Sequence, residues 1–493
     1  MNALLIYPRF PDTFWGFKHA LKLVRKKAGS PPLGLLTVAA MLPDNWELRL
    51  VDLNIQTLTG DDIAWADCAL VSAMVVQRDS ARQIVTRCKQ GGLTVIAGGP
   101  LFSSEHDDFD EVDHFVLNEA ELTLRPFLED FARGDARRVY SSSEFADMSD
   151  TPAPRWDLVR SRDYASRNIQ YSRGCPHDCD FCSVTQLFGH RPRTKSIEQV
   201  VEELDGLYDL GWRGTVGFVD DNLIGNRKKL LTELLPALIE WRAGKWGMGF
   251  STQVTVNLAD DDKLMDLMVR AGFDTVFVGI ESVDEASLAE CNKRQNEHRD
   301  LLNDVRRIQR AGMQVQGGFI VGFDHDTPKV LERLAAFIQE SGIATAMVGM
   351  LQAPAGTRLY ERLRGEGRIR SDMSGDNANG TTNIVPTMGV KPLEQGYRRM
   401  MTDLYSPRVY YARLRTFLRE YKPKAAKTRL RGWHIMAFLR SLYYLGVVGN
   451  ERFRYQGLLI WTLFRNPRAF PTAIVLAISG YHLRLCLGAL PTI

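Results

Sequence analysis

The first 135 residues alternate short apolar runs with stretches whose apolar residues recur every three to four positions. "ALLIYP", "ELRLVDLN", "CALVSAM", "LTVIAGGP" and "HFVLNEAE" have the length and side-chain content of strands. "PPLGLLTVAAMLP" reads as a helix opened by prolines in its first turn, and "SARQIVTRCKQGG" as one closed by glycines. This alternation predicts an α/β fold with a doubly wound, Rossmann-like parallel sheet, whose ligands lie beyond the carboxyl ends of the strands. Those ends are rich in Gly, Ser and Asn and contain no G-x-G-x-x-G, which argues against a dinucleotide.

"SSSEFADMSDTPAPRWD" has no apolar period and sets a linker at 141–165, after a first domain over 1–140. A second alternating series fills 166–385. Its strands are "IQYSRG", "GTVGFVDDN", "WGMGFSTQVT", "TVFVGIES", "VQGGFIVGF" and "TAMVGMLQA", with helices such as "IEQVVEELDGLYDLGW" between them. These units predict a partial (β/α)6 barrel of TIM type, with its chemistry at the C-terminal strand ends. Over 386–493 the pattern turns mainly helical, basic and aromatic, as in "YSPRVYYARLRTFLREY", and predicts an appended helical domain.

Charge adds one feature. From Lys391 onward the chain carries 18 Lys and Arg against 4 Asp and Glu, a balance of +14, which leaves −11 on the first 390 residues of a total of +3. Such an end is attracted to anionic surfaces, although a solvated helical face would look similar. The most apolar stretch, "PTAIVLAISGYHLRLCLGALP", is interrupted by His482 and Arg484, short of the roughly 20 residues that a span needs, so a buried or interfacial helix is expected. "MNALLIYPRF" reads as a first strand and lacks the basic start of a signal peptide. With cysteines scattered outside one motif, a reducing, cytoplasmic setting is expected.

That motif is "RGCPHDCDFC", with Cys175, Cys179 and Cys182 at spacings of four and three. Three is an odd number for disulfides, and structural zinc normally takes four ligands. A four-iron cluster is normally held by four cysteines, so three leave one iron open to a ligand that is not protein.

C-x3-C-x2-C after the first strand of a six-unit barrel resembles the radical S-adenosylmethionine (SAM) family. The resemblance implies a 4Fe-4S cluster whose open iron is chelated by SAM, which is then cleaved to methionine and a 5′-deoxyadenosyl radical. It places Phe181 against adenine. It gives "FVDDN" (Asp220, Asp221, Asn222) to the SAM ammonium, Ser251 or Gln253 of "STQ" to its carboxylate, Glu281 of "GIES" to the ribose, and Ile320 of "GGFIVGF" behind the adenine. Each of these taken singly also has a structural reading, since Asp-Asp-Asn makes turns and glycines permit close packing.

A doubly wound sheet ahead of such a barrel resembles the cobalamin-dependent class of that family. The resemblance implies cobalamin contacts from Ser72, Gly98, Gly99 and Asn118. No Asp-x-His-x-x-Gly follows the first strand, so no protein histidine is expected to coordinate the cobalt. Longer stretches, "SAMVVQRDSARQ", "DDNLIGN" and "GDNANGTTNIVPTMG", resemble the subfamily of the bacterial hopanoid C-2 methylase. This second resemblance implies methylation of an unactivated carbon of a hydrophobic, hopanoid- or other lipid-like substrate. The methyl group comes through methylcobalamin, no catalytic acid or base is nominated, and the electron donor is of flavodoxin or ferredoxin type. Peripheral contact with the inner face of a membrane is expected through the basic C-terminal region, and no nucleic acid is expected. Two other readings stay open: a non-methylating cobalamin radical enzyme that cyclises, oxidises or rearranges a ring, and an iron–sulfur protein that binds RNA through its basic tail.

Overall fold

The computed structural model describes residues 1–423 and 432–488; residues 424–431 and 489–493, which hold part of the basic charge and the end of the expected helical domain, lie outside the described residues. The first unit is a six-stranded parallel sheet of β1 (Asn2–Tyr7), β2 (Glu47–Asp52), β3 (Cys68–Ser72), β4 (Thr94–Gly98), β5 (His114–Val116) and β6 (Val139–Tyr140), in the order β2-β1-β3-β4-β5-β6. A period of two along β1 shows why both faces are covered. Leu4 and Ile6 pack toward the helix Arg78–Gln90, whereas Ala3 and Leu5 pack toward the helices Leu33–Ala39 and Ala120–Arg133. The sheet is therefore doubly wound, and the strand order reverses between β1 and β3, where such sheets bind ligands. The sixth strand is two residues long, too short to leave a period in the sequence.

The second unit is built on β7 (Arg167–Ile169), β10 (Val216–Phe218), β11 (Phe250–Val254), β12 (Phe273–Glu281), β13 (Gln314–Val321) and β14 (Ala346–Met350). These strands are parallel and lie in sequential order, the layout of a partial barrel. Val276, Val278 and Ile280 of β12 join the core under the surrounding helices, so the alternate residues Thr275, Phe277 and Gly279 face the inside of the barrel. A short antiparallel pair, β8 (Ser172–Arg173) with β9 (Arg193–Thr194), stands apart from this sheet.

Behind the barrel lie the helices Val390–Tyr405, Pro407–Glu420, Gly432–Ser441, Arg452–Arg465 and Phe470–Gly488. The segment Pro467–Gly488 is long and apolar enough to cross a membrane. It nevertheless packs within the helical unit. A Cβ on Gly480 would fall 2.1 Å from the Tyr410 ring, and the Tyr410 hydroxyl donates to the Leu476 carbonyl at 2.7 Å. Buried His482 faces the Phe14 carbonyl at 2.9 Å, and Arg484 pairs with buried Glu451.

Candidate active site

The expected strand "IQYSRG" is broken, and Asp220 is the cause. Its buried carboxylate accepts the Ser172 N–H, the Ser172 hydroxyl at 2.6 Å and the Tyr171 N–H at 3.4 Å. The chain is thereby drawn out of the barrel sheet after Ile169, and Ser172–Arg173 pairs with Arg193–Thr194 instead, closing 174–192 into a loop. Gly174 makes the closure possible: its φ is +97°, and a Cβ would lie 2.9 Å from the carbonyl oxygens of Gly189 and Arg191. The Cys175 N–H donates to Gly189 at 3.2 Å, and the Cys182 N–H to Cys179 at 3.1 Å. From outside, the Asp180 N–H donates to the Cys291 carbonyl (3.1 Å), Asn292 donates to the Asp178 carbonyl (2.6 Å), and Arg358 pairs with Asp178 and Asp180.

The three thiols are half-buried. Burial pushes all three up, Cys182 to about 12, and the Lys293 ammonium pulls each of them back. Lys293 is itself buried and donates to the Glu281 carboxylate at 2.7 Å. Burial alone would lower its pKa, but Glu281 and the thiols of Cys179 and Cys182 outweigh burial and keep Lys293 above its usual range. The Gln295 amide lies 3.8 Å from the Cys179 sulfur, a long N–H···S contact. Glu281 holds φ at +63°, a conformation that non-glycine residues rarely adopt, at the point where β12 turns toward the thiols.

Phe181 and Ile320 come together, both packing on the apolar cluster that includes Cys291, Phe323 and Leu351. Asp221 accepts the Gly174 N–H at 3.0 Å at the root of the cysteine loop. Asn222 is buried and accepts the Thr255 N–H at 3.3 Å, so, like Asp220, it is committed to backbone. Burial pushes Asp220 up to about 7 despite its bonds from Ser172. Ser251 and Gln253 alternate with buried Phe250, Thr252 and Val254 and face the inside of the barrel, with Gln253 exposed.

At the carboxyl edge of the first sheet, Ser72 is the register neighbour of Gly98, and Gly98 of Val116. Ser72, Gly98, Gly99 and Asn118 thus form one row. The glycines keep it flat. A Cβ on Gly98 would lie 2.7 Å from the Val116 carbonyl, and one on Gly99, at φ +91°, 2.7 Å from the Ser72 hydroxyl. Immediately after Asn118, buried Glu119 receives Arg193 in a bidentate pair (2.6 and 2.9 Å), and Glu121 receives Arg173 (2.8 and 3.0 Å). Arg173 and Arg193 belong to the strand pair that closes the cysteine loop, so the two edges are clamped together within a few residues of Asn118 and Cys175. Burial opposes ionisation of Glu121, but Arg173 and Thr151 outweigh it and hold it below the usual range. A second tie crosses above β3, where Arg78 donates to the Met373 carbonyl at 3.2 Å.

Comparison with known proteins gives the family and the fold. Residues 169–338 match the family described as "Radical SAM superfamily", and residues 357–488 match "Domain of unknown function (DUF4070)". An uncharacterized methyltransferase of Synechocystis sp. is 39% identical over 491 residues, covering 98% of this chain and 91% of the relative. The hopanoid C-2 methylase of Rhodopseudomonas palustris is 39% identical over 378 residues, 75% of this chain and 71% of the relative. The chain belongs to the radical SAM methyltransferases, in the subfamily of hopanoid C-2 methylase. Among solved structures, the cobalamin-dependent SAM radical enzyme OxsB superposes with a TM-score of 0.63 at 14% identity, covering 99% of this chain and 80% of that one. The radical SAM methyltransferase TsrM of Kitasatospora setae superposes with a TM-score of 0.62 at 13% identity, covering 93% of this chain and 98% of that one. The fold is that of the cobalamin-dependent radical SAM enzymes.

The donor set suits a radical SAM cluster. Among the described residues, the one group of three His, Cys or acidic ligand atoms within 4.8 Å of one another is His19, His482 and Cys486. The three loop thiols do not gather that tightly, and three cysteines on one loop are the donor set of a four-iron cluster with one iron left open. His19, His482 and Cys486 form no such centre, because both His482 nitrogens are engaged, by the Phe14 carbonyl and the His19 N–H. The row Ser72, Gly98 and Gly99 on the first sheet's edge, uncharged and free of large side chains, suits a broad flat ligand.

Sequence reading missed Lys293, Gln295, Glu119 and Glu121. "CNKRQN" carries no motif of its own and "NEAE" reads as the end of the strand "HFVLNEAE", and only the fold brings them to the cysteine loop. The signal that was available is Glu119 and Glu121 within three residues of Asn118, two acids at a strand end.

Proposed function

We propose that the chain methylates an unactivated carbon of a hydrophobic, hopanoid- or other lipid-like substrate. The observation that carries this reading is the clamping of a three-thiol loop, through Glu119 and Glu121, to a strand edge with a flat row of glycines. When bound, the 4Fe-4S cluster supplies the electron that splits SAM to methionine and a 5′-deoxyadenosyl radical, and cobalamin supplies the methyl group. The protein binds, orients and excludes water.

Cys175, Cys179 and Cys182 would hold the cluster, with Lys293 offsetting the charge that thiolates bring into a half-buried loop. Phe181 and Ile320 offer the adenine an apolar wall. Asp221, Ser251 and Gln253 offer hydrogen bonds to the amino-acid end of SAM, and Glu281 gives one oxygen to Lys293 and has the other for the ribose. Asp220 and Asn222 shape the backbone that carries them. Ser72, Gly98, Gly99 and Asn118 make the seat for cobalamin. Inside the barrel, Trp15 stands edge-on to Phe277 at 6.3 Å, an apolar wall for a hydrophobic substrate. Its indole N–H is buried without a partner, which a substrate or cofactor oxygen would satisfy. The electron comes from a flavodoxin- or ferredoxin-type donor, and the substrate is met at the inner face of the membrane through the basic C-terminal region.

Anaerobic turnover of reconstituted enzyme with SAM, cobalamin, reductant and a total lipid extract tests this. Equal amounts of 5′-deoxyadenosine and S-adenosylhomocysteine, with a lipid one methyl heavier, are expected. Deoxyadenosine without the homocysteine would replace methylation by the cyclising, oxidising or rearranging chemistry.

A further inference from the structure

Between Lys422 and Gly488 the sequence has one acidic residue, Glu451, against eleven Lys and Arg. Glu451 is buried and paired with Arg484, so this part of the surface presents no exposed acid among the described residues. The same part exposes large apolar side chains in a regular way. On the helix Gly432–Ser441 and its continuation Leu442–Val448, the exposed positions include Met436, Leu439, Tyr443 and Val447; on Arg452–Arg465 they include Phe453 (73% exposed), Ile460 and Phe464 (81%). Spacings of three, four and seven put each set on one face of its helix, opposite the face that packs on the unit's core. Both helices are apolar on two sides, which a helix facing only water on its outer side has no reason to be.

Beside Phe464 lies a cleft of about 600 Å³, lined by Arg419, Lys422, Trp461, Arg465 and Arg468. All four cations are exposed, and none has an acidic partner among the described residues. The walls are fixed: the Asn466 amide donates to the carbonyls of Leu418 (3.0 Å) and Tyr421 (2.9 Å), tying the ends of two helices together. The helix Phe470–Gly488 starts two residues after Arg468, which adds its positive end at the rim.

We infer that this cleft binds the phosphate headgroup of an anionic phospholipid, while Ile460 and Phe464 enter the acyl boundary next to it. The inference rests on the membrane contact proposed for the basic C-terminal region and supplies its site. An apolar stripe flanked by unpaired cations matches an anionic bilayer in both its layers. A second copy of the chain would bring like charge against like. RNA would leave Val447, Ile460 and Phe464 with nothing apolar to meet.

The test is sedimentation of the full-length protein with sucrose-loaded vesicles at low salt. Wild type is expected to bind vesicles of phosphatidylcholine with one-third phosphatidylglycerol and to ignore phosphatidylcholine alone. Arg465→Gln with Arg468→Gln should weaken binding about 30-fold, roughly fivefold per cation, and Phe464→Ser about tenfold, each with an unchanged thermal midpoint. If wild type binds and these variants bind equally, the cleft is overturned and membrane contact stands. If wild type binds no vesicle, or binds single-stranded RNA in preference, both are overturned. Inorganic phosphate is expected to displace wild type from the vesicles better than chloride at matched ionic strength, and equal displacement by the two anions would overturn a phosphate site in the cleft. Vesicle binding is read without turnover, so none of these outcomes bears on the methylation reading.

Discussion

Along the carboxyl edge of the first sheet, Ser72, Gly98, Gly99 and Asn118 carry no charge. The corresponding edge of the second sheet gathers Asp220, Asp221, Glu281, Lys293 and three cysteines around one loop. Both edges come from the same βα construction, and the difference matches the ligand proposed for each. A large flat ligand is best met by bare backbone, which glycine permits. A cluster of thiolates with a zwitterion beside it needs compensating charge, and charge inside a protein must be paired. The join between the edges is made in the second way, by the pairs Glu119–Arg193 and Glu121–Arg173, in which the carboxylates are buried and the arginines partly so.

The comparison can be broken from either side. The largest effect is expected from Cys182→Ala: iron–sulfur absorption and SAM cleavage should fall to background while cobalamin still binds, as read by visible spectra and deoxyadenosine yield. Next, Glu119→Leu leaves Arg193 half-enclosed without its partner and should cost about 3–5 kcal/mol in a urea titration; a loss below about 1 kcal/mol, the worth of an exposed pair, would show that the edges are not held by that contact. Gly99→Val forces a side chain into φ +91° and onto Ser72, for a cost of about 1–3 kcal/mol. Cobalamin retention should drop while the iron content stays at the wild-type level.

The smallest effect concerns pH. The Asp220 carboxyl, at about 7 when folded, lies above its unfolded value of 3.8, so between pH 4 and 7 the folded state holds more protons than the unfolded. Its contribution to stability therefore falls as pH rises through that window and is flat above it. Subtracting the stability of Asp220→Asn from that of wild type, by urea titration at several pH values, should isolate the slope. Ser72, Gly98, Gly99 and Asn118 have no titratable side chain, so cobalamin affinity should lack any such slope.

Much of the fold was legible because the first sheet is buried on two faces, which makes its strands near-continuous apolar runs, while the barrel strands alternate core residues with small or polar ones that face inward. The two-residue strands Val139–Tyr140, Ser172–Arg173 and Arg193–Thr194 left no such run. The cysteine spacing was legible because it is local. Lys293 was not: its partners Glu281 and the thiols are assembled by the barrel, and in sequence it is one lysine in a polar turn. Asp220, Asp221 and Asn222 looked equivalent in "FVDDN", yet one step along the chain turns a side chain from Ser172 to Gly174. The basic end was visible as charge, but not the gathering of Arg419, Lys422, Arg465 and Arg468 from two helix ends into one cleft.

The most direct measurement is the loading of iron and cobalamin, side by side, on wild type and on a variant with Cys175, Cys179 and Cys182 all changed to Ala. Two edges with two separate tasks predict about four irons and one cobalamin on wild type, and no iron but an undiminished cobalamin on the variant. Loss of both from the variant, or no cobalamin on wild type, would contradict the assignment of the first sheet's edge.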